Sequence, residues 1–395
     1  MENLTRLSQK WLRLSVLCLL AIDVLLPVVA QRAPDYSYED DYIFWGNPSA
    51  YLEYQAKIAF PLIDAMLQVH PPKEVMNQHR RMALVTLDQF LHETNSTRQA
   101  ALYSFATTRM ARMLTAMDEP LTSGVRICKL PNSGFIIKSP KTVVAVDLVA
   151  GSYAGGSLLS DSIIYEILFR SNALLITNAD SRHCNSDIAQ LFTTFGKKVI
   201  APKGVLKSLG DKVMHVGDDY VQTVELEGMT LNVVPGHNGN AANNIYIIEF
   251  TGYETVAHTG AQNSDADWDI IDLIHQVYDV DILLTKSQST QLERMIAGFQ
   301  PTKVITTGEN EMENSIDLRE SYWTTQKRMS NLDYLHVPNI VMTWGEIYDY
   351  ANGEQTDISA ISDNTSSSSQ KVFKNGRIYI RRNGQTYTLT GVRVK

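Results

Sequence analysis

Apolar positions recur with two different periods along this chain, and the change from one to the other divides it. Between residues 51 and 117 the spacing is helical: Leu84, Leu87 and Leu91 share one face, as do Leu102, Phe105, Met113 and Met117, and these stripes are read as core. Pro71 and Pro72 interrupt the stretch and Pro120 closes it. From Val125 the pattern becomes short β-rich runs, at 125–130, 134–138, 142–149, 173–177, 198–201, 230–234, 245–250, 255–258, 280–285 and 303–306. Helix-like segments near 160–170, 186–195, 265–277 and 317–328 lie between them; Asp265, Asp267 and Asp269 read as the acidic start of the third. Such interleaving indicates an α/β domain whose sheets are covered by helices. After Gly353 a polar linker leads to residues 371–395, where Asn375-Gly376 and Asn383-Gly384 are tight-turn signals and Ile378 and Ile380 alternate with Arg377, Tyr379 and Arg381. A small antiparallel meander is expected there.

Composition adds an address and removes one function class. Arg6, Lys10 and Arg13 precede an apolar run at 14–22 and the small or apolar Val28 and Ala30, which together read as a secretion signal cleaved after Ala30. The expected boundaries are therefore a signal at 1–30, a leader and helical extension at 31–120, the α/β domain at 121–352, a linker at 353–370 and the tail at 371–395. Export to the periplasm, cell surface or extracellular space follows from this reading. The chain of 395 residues carries a net charge of −8, and removal of three basic and two acidic residues with the signal leaves −9. A general nucleic-acid binder would show a basic excess instead. Cys128 and Cys184 are the cysteines left after cleavage, and the sequence is equally compatible with a disulfide and with two free thiols. The tail gathers Lys371, Lys374, Arg377, Arg381, Arg382, Arg393 and Lys395 without an acid. This basic stripe offers an association with an anionic envelope surface, or simply a solvated strand face.

Chemistry gathers in four separated stretches. The apolar run Leu174-Leu175-Ile176 leads into the polar turn Thr177-Asn178-Ala179-Asp180-Ser181-Arg182-His183-Cys184; then come Pro235-Gly236-His237, His258-Thr259-Gly260-Ala261, and residues 306–314 followed by 316–323. In that order they resemble the metallo-β-lactamase superfamily, whose motifs are T-H-x-H-x-D-H-C, a histidine loop, the H-T-G-D turn, and, in its lactonase-like members, P-G-H-E-N-E-L-G-H with H-R-E-P-Y-W. The resemblance covers residues 125–328 and implies a four-layer αββα sandwich, here with an N-terminal helical extension and a C-terminal β-meander. The tail is similar to tails on exported proteins of Bacteroidota, which implies a bacterial exported chain.

The same resemblance implies a dinuclear metal hydrolase, in which imidazoles and carboxylates hold two cations that make hydroxide available at neutral pH. Here only His183 and His237 keep a family residue type at the seven ligand positions, while Asn178, Asp180, Arg182, Ala261 and Asn314 depart from it, and Gly308 stands where an earlier histidine falls. Arg182 would set a permanent cation near the second metal and find a partner in Asp180. The expectation is an exported, degenerate member of the superfamily that binds a small molecule or protein through Asn178, Asp180, Arg182, His183, His237 and Asn314, with no cofactor. The alternatives are a divergent lactone- or ester-type hydrolase, with zinc or another divalent metal on Asp180, His183 and His237 or with Asp180 and His237 as acid and base, and a surface or assembly scaffold.

Overall fold

The computed structural model describes residues 48–93, 100–153, 156–217, 220–351, 369–374, 377–382, 385–388 and 393–394. The expected signal, the leader before Pro48, the linker after Ala351 and both Asn-Gly turns of the tail lie outside those residues. The chain forms two units, Met1–Glu354 and Gln355–Lys395.

Three helices open the larger unit: α1 (Pro48–Val69), α2 (Gln78–Leu91) and α3 (Ala100–Met117). Asn77 starts α2, its side chain accepting the Arg80 backbone N–H as an N-cap. Leu84, Leu87, Leu91, Leu102, Phe105, Met113 and Met117 are all buried, as the helical period requires.

The chain then lays down β1 (Val125–Lys129), β2 (Phe135–Lys138), β3 (Val143–Val146), a ribbon of β4 (Ser152–Tyr153) and β5 (Gly156–Ser157), α4 (Asp161–Arg170), β6 (Ala173–Leu175), α5 (Ser186–Thr194), β7 (Lys198–Pro202) and β8 (Val213–Val216). It continues through β9 (Gln222–Leu226), β10 (Met229–Asn238), β11 (Ala241–Phe250), β12 (Thr255–His258), α6 (Trp268–Ile271), β13 (Ile282–Lys286), α7 (Leu292–Phe299), β14 (Lys303–Thr307), α8 (Tyr322–Ser330), β15 (Asn339–Ile340) and β16 (Ile347–Tyr350). Two seven-stranded sheets result, in the orders β16-β1-β2-β3-β6-β7-β8 and β15-β14-β13-β12-β11-β10-β9. The fold is α/β with two large sheets and flanking helices, the expected class.

Strand periodicity explains the stacking. Phe135, Ile137, Val144, Val146, Ala173 and Leu175 of the first sheet share one apolar cluster with Tyr246, Ile248, Phe250, Ile282 and Leu284 of the second. The alternate residues Ile136, Ala145 and Leu174 join α1 to α5, and Ile245, Ile247 and Leu283 join α6 and α7. A one-residue slip of any of these strands would exchange its two apolar faces.

Two helix expectations change. Across 265–277 the only α-helix is the single turn α6, set between 3₁₀ turns at Asp265–Asp267 and Ile274–Gln276. Four aspartates within eight residues disfavour a longer helix there. Farther on, α8 starts at Tyr322 because Ser321 caps it and the Asp88 carboxylate accepts the backbone N–H groups of Tyr322 and Trp323. The edge strands β8 and β9 were not legible as apolar runs; β9 alternates half-buried and exposed residues along its whole length.

The helical extension is tied to the first sheet by buried ion pairs. Arg80, 1% exposed, donates to both oxygens of Glu346 at 2.7 and 2.5 Å and to the Val341 carbonyl at 2.7 Å. Arg109 donates to Asp64 at 2.6 Å and to the Trp344 carbonyl at 2.7 Å. Removing one member of such a pair strands the other charge out of water. Arg80→Ala is therefore expected to cost about 3–5 kcal/mol in urea unfolding, and a loss below about 1 kcal/mol would show that the pair does not anchor the extension.

The smaller unit is a four-stranded antiparallel meander of β17 (Ser369–Lys374), β18 (Arg377–Arg382), β19 (Gln385–Thr388) and β20 (Arg393–Val394) in sequential order.

Candidate functional site

The motif residues collect where strands of both sheets end. β6 runs into Ile176 and the turn 177–184, and the sheets meet there: Asn178 bridges to Asn243 of β11, and the Asn244 backbone N–H donates to the Thr177 carbonyl at 2.7 Å. Strands β13 and β14 end alongside, delivering Lys286 and the loop 308–314. The carboxyl ends of strands are the usual place for a ligand in such sheets.

Asn178 shapes the turn. Its Oδ1 accepts the Asp180 backbone N–H at 2.9 Å, and its amide donates to Thr177 Oγ1 and to Asn243 Oδ1. Asp180 and Arg182 form the expected ion pair, with Nε to Oδ1 at 2.8 Å and Nη2 to Oδ2 at 2.6 Å. The pair extends further than the sequence indicated. Arg182 Nη1 also donates to Glu311 Oε2 at 3.1 Å and to Asn314 Oδ1 at 3.2 Å, while Asn314 Nδ2 donates to the same Glu311 oxygen. The other oxygen of Glu311 takes the Lys286 ammonium at 3.0 Å. Glu311 is 1% exposed and so sits between two cations and away from water. Beneath them, Gly308 holds a left-handed φ of +85°, and a Cβ there would touch the Lys286 aliphatic carbons at 3.4 Å. Lys286 therefore passes alongside the position at which the resemblance places a histidine.

Electrostatics follow the contacts. Hydrogen bonds from the Arg182 guanidinium, opposed by partial burial, hold the Asp180 carboxyl well below the usual carboxylate range. An acid kept ionised in this way does not suit the proton-carrying role considered for it. Burial pushes Glu311 up, but Lys286 and then Arg182 outweigh it and leave the carboxyl lowered.

The two retained histidines lie in separate settings. His183 is fully buried, its Nδ1 held by Asp147 Oδ2 at 2.6 Å, and its Nε2 has no hydrogen-bond partner. Asp147 also accepts the Thr177 hydroxyl and backbone N–H, at 2.7 and 2.8 Å. His237 is 45% exposed at its side chain; its Nδ1 pairs with Asp267 Oδ1 at 2.8 Å, and its backbone N–H goes to Asp267 and Gln262. None of these bonds leads to Asp180 or Arg182, and Asp180, His183 and His237 do not stand as a metal-holding group among the described residues. His258 is buried and neutral in its bonding, with Nε2 on the Ser133 carbonyl and Nδ1 accepting the Gly260 N–H. Gly260 itself has a φ of +60°, and a Cβ would lie 2.5 Å from Asn243 Oδ1, the atom that also accepts the Ala261 N–H. Cys128 and Cys184 are free thiols.

Five participants were missed by the sequence reading: Asp147, Asn243, Asp267, Lys286 and Glu311. Asp267 stands at a helix start as expected, and its carboxylate in addition orients His237. Glu311 lies inside the stretch that carried the resemblance, but nothing local in the sequence pairs it with Arg182, 129 residues away.

No protein-family model matches the sequence, and no curated protein does. Solved structures do match. A metallo hydrolase from the archaeon Ignicoccus hospitalis is 17% identical with a TM-score of 0.46, over 57% of this chain and 98% of that one. A protein from Veillonella parvula described as a possible metal-dependent hydrolase is 13% identical with a TM-score of 0.45, over 58% of this chain and 100% of that one. A Thermotoga maritima protein proposed to be a zinc-dependent hydrolase of the metallo-β-lactamase superfamily is 9% identical with a TM-score of 0.31, over 51% and 85%. At these identities the likeness is one of fold, and its neighbours are metallo-hydrolases.

The expectation of no cofactor is corrected by these neighbours, which are themselves described as metal-dependent hydrolases. The side chains as they stand were tested against a divalent metal and do not fit. Arg182 occupies both carboxylates, Ala261 offers no donor, and burial pushes the Cys184 thiol up to about 11, leaving it protonated. Among the described residues no three His, Cys, Asp or Glu side chains stand as a ligand set. Among the described residues His183 Nε2 and both carboxylate oxygens of Glu309 are buried without a hydrogen-bond partner.

The depressed carboxyls carry a pH signature. Their stabilisation is complete above the ordinary carboxylate value of about 4 and is lost as pH falls through their lower folded-state values. Urea unfolding between about pH 6 and pH 3 is expected to show a steeper loss of stability for the wild type than for Arg182→Ala. Parallel curves would mean that Arg182 does not set these pKa values.

Proposed function

We propose that this chain is an exported binding protein on a metallo-hydrolase fold, whose cleft receives a small polar ligand and is organised by ion pairs. The observation that carries the reading is the commitment of Arg182 to both Asp180 and Glu311. That commitment leaves Asp180 fixed as an anion and preforms the floor of the cleft, so little side-chain ordering remains to oppose binding. The Arg182 and Asp180 side chains stay 26% and 29% exposed, which keeps the floor within reach of a ligand. His237, with its Nδ1 oriented by Asp267, adds a polar group of fixed direction.

Thermal-shift screening of the mature chain against carboxylic acids, amino acids and lactones tests this. A binder that raises Tm in the wild type is expected to lose at least half of its shift in Arg182→Ala, while lactone, ester and β-lactam hydrolysis stays at the buffer rate. Turnover above that rate, reduced a hundredfold or more by His237→Ala, would replace the binding reading with a hydrolase.

A further inference from the structure

We propose that the groove between α1 and α2 is a docking surface for residues 31–47 of this same chain, the acidic and aromatic segment that leads into α1. It is a surface apart from the turn 177–184, and it stands whether or not that turn binds a ligand.

α1 carries two apolar stripes. Ala56, Phe60, Ile63 and Leu67 form the first and are buried in the core. Ile58, Leu62, Met66 and Val69 form the second at the same helical spacing, yet Leu62 is 51% exposed and Val69 73%. A helix that is apolar on two sides is one that something covers on both. The second stripe borders a groove of about 830 Å³, with Tyr54, Ile58, Ala59 and Leu62 on the α1 side and Phe90 and His92 at the end of α2. Phe90 is fixed by the Phe60 ring, 5.4 Å away, so this wall of the groove is preformed.

The sequence supplies the occupant. Residues 31–47 hold Tyr36, Tyr38, Tyr42, Phe44 and Trp45, five rings in 17 residues, where the whole chain is 9% aromatic. Rings at that density gain most from an apolar surface to lie against. Asp35, Glu39, Asp40 and Asp41 between them give the segment polar groups for the water-facing side of an open groove. Reach is no obstacle: 17 extended residues span about 56 Å, and Leu62 lies about 21 Å along α1 from Pro48. The tether also favours this occupant over a free partner, because a segment joined directly to the groove acts at an effective concentration of about millimolar. Docking there has a consequence for the loop that carries Glu311. His92, at the end of the groove, meets Asn310 Oδ1 at 2.9 Å, so a segment packed on His92 would brace that loop.

Hydrogen exchange of the mature chain, read by mass spectrometry, tests the docking. Amides in 31–47 are expected to exchange at least tenfold more slowly than in the same peptide free in solution, and Leu62→Asp is expected to abolish that protection. Leu62 is exposed, so its substitution leaves the helical core intact, and unchanged exchange in α2 and α3 verifies this in the same data. Ile58→Asp is the second groove variant. Phe169→Asp, at a residue 57% exposed on α4, is expected to leave the protection as it is. Exchange in 31–47 as fast as in the free peptide, protection that survives both groove variants, or an equal loss in Phe169→Asp overturns the proposal. Protection that grows with protein concentration overturns it too, because the groove would then hold the segment of a second copy.

Discussion

One guanidinium decides the character of this site. Arg182 joins the turn after β6 to the loop after β14, since Asp180 belongs to the first and Glu311 with Asn314 to the second. Those segments come from different sheets, and a metal bound between them would draw them together by the same attraction of cation for carboxylate. The geometry of the guanidinium adds something a point charge lacks: its planar fork meets both Asp180 oxygens in parallel while a third nitrogen remains for Glu311. Replacing it by lysine would keep the charge and lose the span.

The scaffold keeps that bridge in register. Asp88 of α2 accepts the Asn310 amide as well as the first N–H groups of α8, and His92 meets Asn310 Oδ1 at 2.9 Å. Arg319 donates to the Leu91 carbonyl at 2.6 Å. The loop bearing Glu311 is thus gripped from the helical extension, which is itself fastened to the first sheet through Arg80 and Glu346. A disturbance of the extension would be felt at Glu311 and Arg182 through a continuous set of hydrogen bonds and ion pairs.

Most of the fold was legible in the sequence because burial on both sides of a strand leaves an apolar run, as at β6 and β13, and because α2 and α3 keep a strict helical stripe. The edge strand β9 was not, since only its Val224 and Leu226 face is half-buried and its alternate residues are exposed, which leaves no apolar run to find. Within the cleft, the Asp180 and Arg182 pair could be foreseen because its members are two residues apart in one turn. Glu311, Lys286 and Asp147 could not, because their partners are 129, 25 and 36 residues distant and only the packing of two sheets brings them together. Asp267 does stand at the start of the helical turn α6, but its carboxylate is spent on His237, 30 residues earlier, a pairing that the local pattern does not show. The expectation of no cofactor was drawn from replaced ligands alone and took no account of what this fold carries in its structural neighbours.

The central claim is that Arg182 and Glu311 act on one another across the two sheets. A double-mutant cycle of Arg182→Ala and Glu311→Gln, read by urea unfolding at neutral pH, measures that interaction directly. A coupling of about 1 kcal/mol or more is the predicted result, whereas effects that add to within about 0.3–0.5 kcal/mol would mean that the bridge does not organise the cleft.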